Sequence, residues 1–178
     1  MTGSATIELD IPRRTISVSA RNPVSEADMV RVLLRRFRAT FPVRAYGTEI
    51  RSHGRCRTDI CVIARDFGAQ SETYVTLGIE AKLIDSKRAL RQAILNKYAV
   101  DGSLIAMPAG RLTRDVLSIA EDHGIGVLAI RSDGFEVVVA AMRNNPDSTL
   151  RARMVDQLVK ARPRGRASVE MLVSEVRF

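Results

Sequence analysis

A glutamate and a lysine two residues apart interrupt an otherwise apolar run, Leu77-Gly78-Ile79-Glu80-Ala81-Lys82-Leu83. In an extended chain alternate side chains share a face, so Val75, Leu77, Ile79, Ala81 and Leu83 point one way and Thr76, Gly78, Glu80 and Lys82 the other. Asp59 stands in a second apolar run, Thr58-Asp59-Ile60-Cys61-Val62-Ile63-Ala64, which puts three ionisable groups on two strands expected to be neighbours. Two carboxylates on adjacent strands offer oxygen ligands from rigid elements. That suits a hard divalent cation, which keeps its remaining positions for water and a substrate phosphate. Mg²⁺ or Mn²⁺ held by Asp59 and Glu80, with the Ala81 carbonyl as a further ligand, would stabilise the charge that builds on a phosphodiester and acidify an attacking water. Lys82 would orient that water or help deprotonate it, its own protonation state being set by its charged neighbours. The plain alternative is an exposed cross-strand ion pair on an open sheet face. Both runs are apolar on the opposite face, and a strand-helix-strand unit follows directly, which favours a built site.

The choice of lysine is itself informative. Of 28 basic residues 24 are arginine and four are lysine, so a chain that uses arginine almost everywhere has placed a lysine beside Glu80. Lysine is a compact charge whose pKa shifts with burial, which arginine's does not.

The elements that must position these groups follow from periodicity. Ile7, Leu9 and Ile11 alternate with Glu8 and Asp10, and Ile16 and Val18 follow Pro12, so residues 5–19 read as a hairpin or two short strands. Ser25 caps a helix with Glu26 and Asp28 in its first turn and an apolar stripe of Met29, Val30, Leu33, Leu34 and Phe37. Extended segments are expected at Ala45–Arg51, Arg57–Ala64 and Tyr74–Leu83, and Ser86 opens a helix with Leu90, Ala93, Ile94 and Lys97 or Tyr98 at helical spacing. Residues 103–107, a helix through Leu112, Val116, Leu117, Ile119 and Ala120 closed by Gly124, and residues 125–130 form a crossover unit, which implies two parallel adjacent strands. Phe135–Met142 adds a strand. Leu150, Met154, Val155, Leu158 and Val159 line one face of a further helix. The basic linker Arg162–Arg166 then leads to Ser168–Phe178, whose Val169, Leu172, Val173 and Val176 form a short apolar stripe. The organisation expected is an N-terminal β-hairpin appendage over residues 1–22, an α/β core over 23–143 and a basic helical C-terminal extension over 144–178.

The bulk properties fit this plan. A chain of 178 residues with 46% hydrophobic residues can bury one core. It has no long apolar run and no signal-peptide pattern at its start, which points to a soluble, cytoplasmic protein. A net charge of +8 and a pI near 10.3 favour a polyanionic partner. Aromatic residues make up only 4%, which argues against single-strand binding by base stacking alone. Cys56 and Cys61 cannot build a disulfide framework, and with His53 they lack the paired spacing of a zinc site.

A helix with Glu26, a strand, a strand with Asp59, a strand with Glu80-Ala81-Lys82, then helix, strand, helix, strand resembles the PD-(D/E)xK nuclease superfamily over roughly residues 25–131. The motif falls on Asp59, Glu80 and Lys82, and Thr58 stands where the family's proline would be. The resemblance implies a three-layer α/β fold of the restriction-endonuclease-like type with a mixed central sheet. It also implies a Mg²⁺- or Mn²⁺-dependent phosphodiesterase acting on duplex or branched DNA, as in Holliday-junction resolvases and small restriction or defence nucleases. It adds Glu26 as an acidic residue on the metal side and Gln92 as a catalytic glutamine; the alternative for Glu26 is a partner of the helix dipole. Glu49 is a further carboxylate candidate. Lys87, Arg88 and Arg91, at the start of the helix after the motif, are placed for phosphate contacts. His53 and His123 read as turn and helix-end residues. Cutting two strands calls for a homodimer, for which the C-terminal segment is the candidate contact, and an accessory protein could supply specificity. The rivals are a non-catalytic nucleic-acid-binding or assembly subunit that retains the nuclease fold, and a protein-interaction domain with a basic surface.

Overall fold

A computed structural model describes residues 25–40, 43–52, 57–65, 74–131 and 134–160. The expected N-terminal hairpin, His53, Cys56, the basic linker and the C-terminal stripe lie outside the described residues. The elements run α1 (Glu26–Thr40), β1 (Val43–Arg51), β2 (Arg57–Arg65), β3 (Tyr74–Ala81), α2 (Ser86–Asn96), β4 (Gly102–Pro108), α3 (Arg114–Asp122), β5 (Gly126–Arg131), β6 (Gly134–Val139) and α4 (Ser148–Lys160). No helix among them is long and apolar enough to cross a membrane.

The strands form one sheet in the order β1-β2-β3-β4-β5-β6. β1, β2 and β3 are an antiparallel meander, and β4 and β5 each join in parallel through a helix. β6 returns antiparallel at the far edge. Crossovers between parallel neighbours carry α2 and α3 to the same face of the sheet, as a single crossover hand requires.

Alternation along the strands splits the core in two. Ile60, Val62 and Ala64 of β2 and Val75, Leu77, Ile79 and Ala81 of β3 pack with Met29, Leu33 and Phe37 of α1 on one face. On the other face Cys61, Ile63 and Tyr74 meet Met154, Val155 and Leu158 of α4, while Ile105, Met107 and Val127 meet Ala89, Leu90 and Ala93 of α2 and Val116 and Ala120 of α3. The protein is therefore α/β, with a six-stranded mixed sheet between α1 and the layer of α2, α3 and α4.

Local chemistry sets the ends of these elements. The Ser25 hydroxyl accepts from the Asp28 N–H at 3.1 Å and so caps α1. Thr113 caps α3, and Gly124 turns the chain out of it with φ of 66°, a conformation glycine adopts without Cβ strain. α2 departs from its expected apolar face. Tyr98 is 59% exposed, and the inward position one turn beyond Ala93 belongs to Asn96. Ile119 of α3, expected to pack, is likewise exposed.

Candidate active site

β3 ends two residues earlier than expected, at Ala81 instead of Leu83, although the Lys82 N–H still donates to the Ala106 carbonyl at 3.0 Å and carries the ladder one step on. The chain then bends through Leu83 and Ile84, and the Asp85 carboxylate caps α2 by accepting from the Arg88 N–H at 2.9 Å. Glu80 and Lys82 thus occupy the C-terminal end of a central strand. The β2–β3 register pairs Ile60 with Ile79, and one further step brings Asp59 opposite Glu80.

The three groups meet there. Asp59 Oδ2 accepts from the Lys82 ammonium at 2.7 Å and from the Ala81 N–H at 2.9 Å. The ammonium also donates to the Ala81 carbonyl at 3.2 Å and lies 3.5 Å from Glu26 Oε2, at the first residue of α1. Lys82 is almost wholly buried, with 7% of its side chain exposed, against 15% for Asp59 and 50% for Glu26. Glu80 is fully buried. Its Oε1 accepts from Asn96 Nδ2 at 2.6 Å, and its Oε2 is buried with no hydrogen-bond partner.

Burial and charge pull these groups in different directions. Burial pushes the Glu80 carboxyl up, the Asp59 charge pushes it further, and the Asn96 amide, Lys82 and the Asp59 N–H recover part of the cost, leaving it at about 8. Burial alone would pull Lys82 down. The hydrogen bond and charge of Asp59, with Glu26 and Glu80 behind them, outweigh it and hold Lys82 above the usual lysine value. Lys82 is therefore a firmly held ammonium, and burial with the Asp59 charge favours the protonated form of Glu80 while no cation is bound.

The remaining candidates sit on α2, β1, β2 and the end of α3. Gln92 lies on α2, one turn before Asn96, with Oε1 buried and unpartnered. Lys87, Arg88 and Arg91 are exposed on the first turns of that helix. Glu49 does not join the carboxylates. It takes φ of 54° on β1, and its exposed side chain pairs with Arg57 at 3.9 Å. His123 is the C-cap of α3, away from any role as a base. Cys61 is buried against Met154, and burial followed by the Asp101 charge pushes its thiol up to about 12, which makes it inert.

Among the described residues no three His, Cys, Asp or Glu side chains form a ready cage for a metal. The site offers Asp59, Glu80 and the Ala81 carbonyl, all oxygen donors. Glu80 Oε2 has no hydrogen-bond partner, and the Lys82 ammonium is the positive charge on Asp59. These groups fit a hard cation that retains much of its water. Asn96 was the residue that sequence reasoning missed. The signal for it was faint, an amide three residues beyond Ala93 where an apolar residue would continue the stripe.

No family model matches this chain, and no curated protein matches it. Among solved structures it is similar to a protein of unknown function from Silicibacter pomeroyi, with a TM-score of 0.51 and 16% identity over 73% of this chain and 80% of that one. That likeness concerns the fold alone.

Proposed function

We propose that this protein is a metal-dependent DNA endonuclease with a restriction-endonuclease-like core, hydrolysing phosphodiester bonds at Asp59, Glu80 and Lys82. The observation that carries the reading is the meeting of these three side chains at the end of β3, with one oxygen of a buried glutamate left without a partner. An incidental surface ion pair would be solvated, whereas Glu80 is buried next to Asp59 at a cost in free energy, which supports a functional role for the cluster. The order of the elements and the antiparallel β1-β2-β3 meander followed by a parallel β4 also suit the PD-(D/E)xK pattern.

Asp59 and Glu80 would hold Mg²⁺ or Mn²⁺, with the Ala81 carbonyl beside them. Such an ion supplies positive charge to the transition state and a more acidic water. Lys82, held as an ammonium, donates to the attacking water or to a phosphate oxygen and does not act as a base in that form. Glu26 shares its charge and keeps its head directed at the site. Gln92, on α2 with a buried and unpartnered Oε1, would be the catalytic glutamine of the pattern. Lys87, Arg88 and Arg91 would grip the backbone of DNA on either side of the scissile phosphate.

The purified protein should cut at least one of linear, supercoiled, single-stranded or four-way-junction DNA in Mg²⁺ or Mn²⁺, and none in chelator. DNA binding without cutting of any form would favour the non-catalytic subunit instead.

A further inference from the structure

Glu80 is held from behind by a neutral donor. Asn96 is 1% exposed, and its side-chain amide reaches Glu80 Oε1 from the last residue of α2. That helix end is itself well fixed. The Asn96 carbonyl accepts from the Ala99 N–H at 2.8 Å and the Val100 N–H at 3.2 Å, and the Ser103 hydroxyl donates to the Ala93 carbonyl at 2.7 Å.

We propose that Asn96 is the positioning residue of Glu80. This inference rests on the metal-dependent reading above. The last torsion of a glutamate is broad, so an unrestrained carboxylate would spread its two oxygens over many orientations. By engaging Oε1 from a rigid helix, Asn96 sets that rotation and leaves Oε2 as the unpartnered oxygen, which a cation would take by displacing the proton. An arginine or lysine in its place would oppose an incoming cation, whereas an amide orients the carboxyl group without adding charge. The other side-chain oxygen of Asn96, Oδ1, is buried and unpartnered, so this residue adds an acceptor and no competing cation beside Glu80.

The experiment is a Mn²⁺ titration of the full chain followed by electron paramagnetic resonance. Wild type, Asn96→Ala and Asn96→Leu are compared, together with a core variant, Leu158→Ala, that lowers Tm without touching the site. Losing a hydrogen bond to a metal ligand weakens affinity by about 10- to 100-fold, and that loss is expected in both Asn96 variants at a temperature where each is folded. Asn96→Leu fills the space without a donor, so it carries the comparison where Asn96→Ala loses the fold. Leu158→Ala should bind Mn²⁺ like wild type. Wild-type affinity in Asn96→Leu, or an equal loss in Leu158→Ala, would reduce Asn96 to a packing residue. If wild type itself binds no Mn²⁺, the metal-dependent reading fails, and the inference falls with it.

Discussion

Glu80 and Lys82 share a buried space, and their protonation states determine what each can do. Because Glu80 titrates at about 8 in the folded chain and near 4.5 when unperturbed, the folded protein holds a proton that the unfolded chain has already released between those values. Stability conferred by the protonated glutamate is therefore full below about pH 4.5, declines as pH rises and is lost above about 8. In chelator, the urea midpoint of wild type should fall between pH 5 and 8.5 by more than that of Glu80→Gln, which has no proton to lose. Parallel midpoints for the two proteins across that range would show that Glu80 is not shifted. Lys82, raised by its carboxylates, stays charged throughout the same range. Replacing it with methionine, which keeps the stem and removes the charge, should leave Asp59 and Glu26 facing each other and lower stability at neutral pH.

At the scale of elements, α4 is bound into the sheet through a buried polar group. Asp101 Oδ2 accepts from the Thr76 N–H at 2.7 Å, the Thr76 hydroxyl at 2.8 Å and two nitrogens of Arg151 at 3.0 and 2.8 Å. Both charged side chains are only 9% exposed. Removing one partner of a buried pair strands the other, at a cost of about 3–5 kcal/mol. Arg151→Ala should destabilise the fold by that order in chemical denaturation, and a loss below about 1 kcal/mol would mean the pair behaves as a surface contact. The apolar stripe of α4 was legible in the sequence, because Met154, Val155 and Leu158 repeat at helical spacing, but Arg151 was not, since nothing local marks an arginine as buried. The strands β2 and β3, and the face that Glu80 and Lys82 share, were legible for the converse reason. A charge inside an apolar alternation has few places to go, and period 2 fixes its face. Asn96 escaped because a polar residue at a helix end reads as a boundary, and only the fold shows that it faces Glu80. Tyr98 misled for the opposite reason, its apolar ring suggesting burial where the turn after α2 carries it outward.

The whole molecule carries an excess of positive charge, +8 over 178 residues, and this fits the polyanionic substrate proposed for the site. Affinity for DNA should fall linearly in log–log terms as salt rises, with a slope reduced by about 1 for each phosphate-binding side chain removed. A variant with Lys87, Arg88 and Arg91 all changed to alanine should show a shallower slope than wild type. An unchanged slope would mean that DNA phosphates bind elsewhere on the surface. The catalytic assignment itself stands or falls on strand cleavage by wild type, Asp59→Ala and Lys82→Ala in Mg²⁺, each at a protein concentration that saturates the DNA. Wild type should cleave, and both variants should lose at least about 100-fold in rate despite full occupancy, in line with catalytic groups worth two or more decades. Equal cleavage by all three proteins would overturn the assignment, since the activity would then reside outside the site at the end of β3.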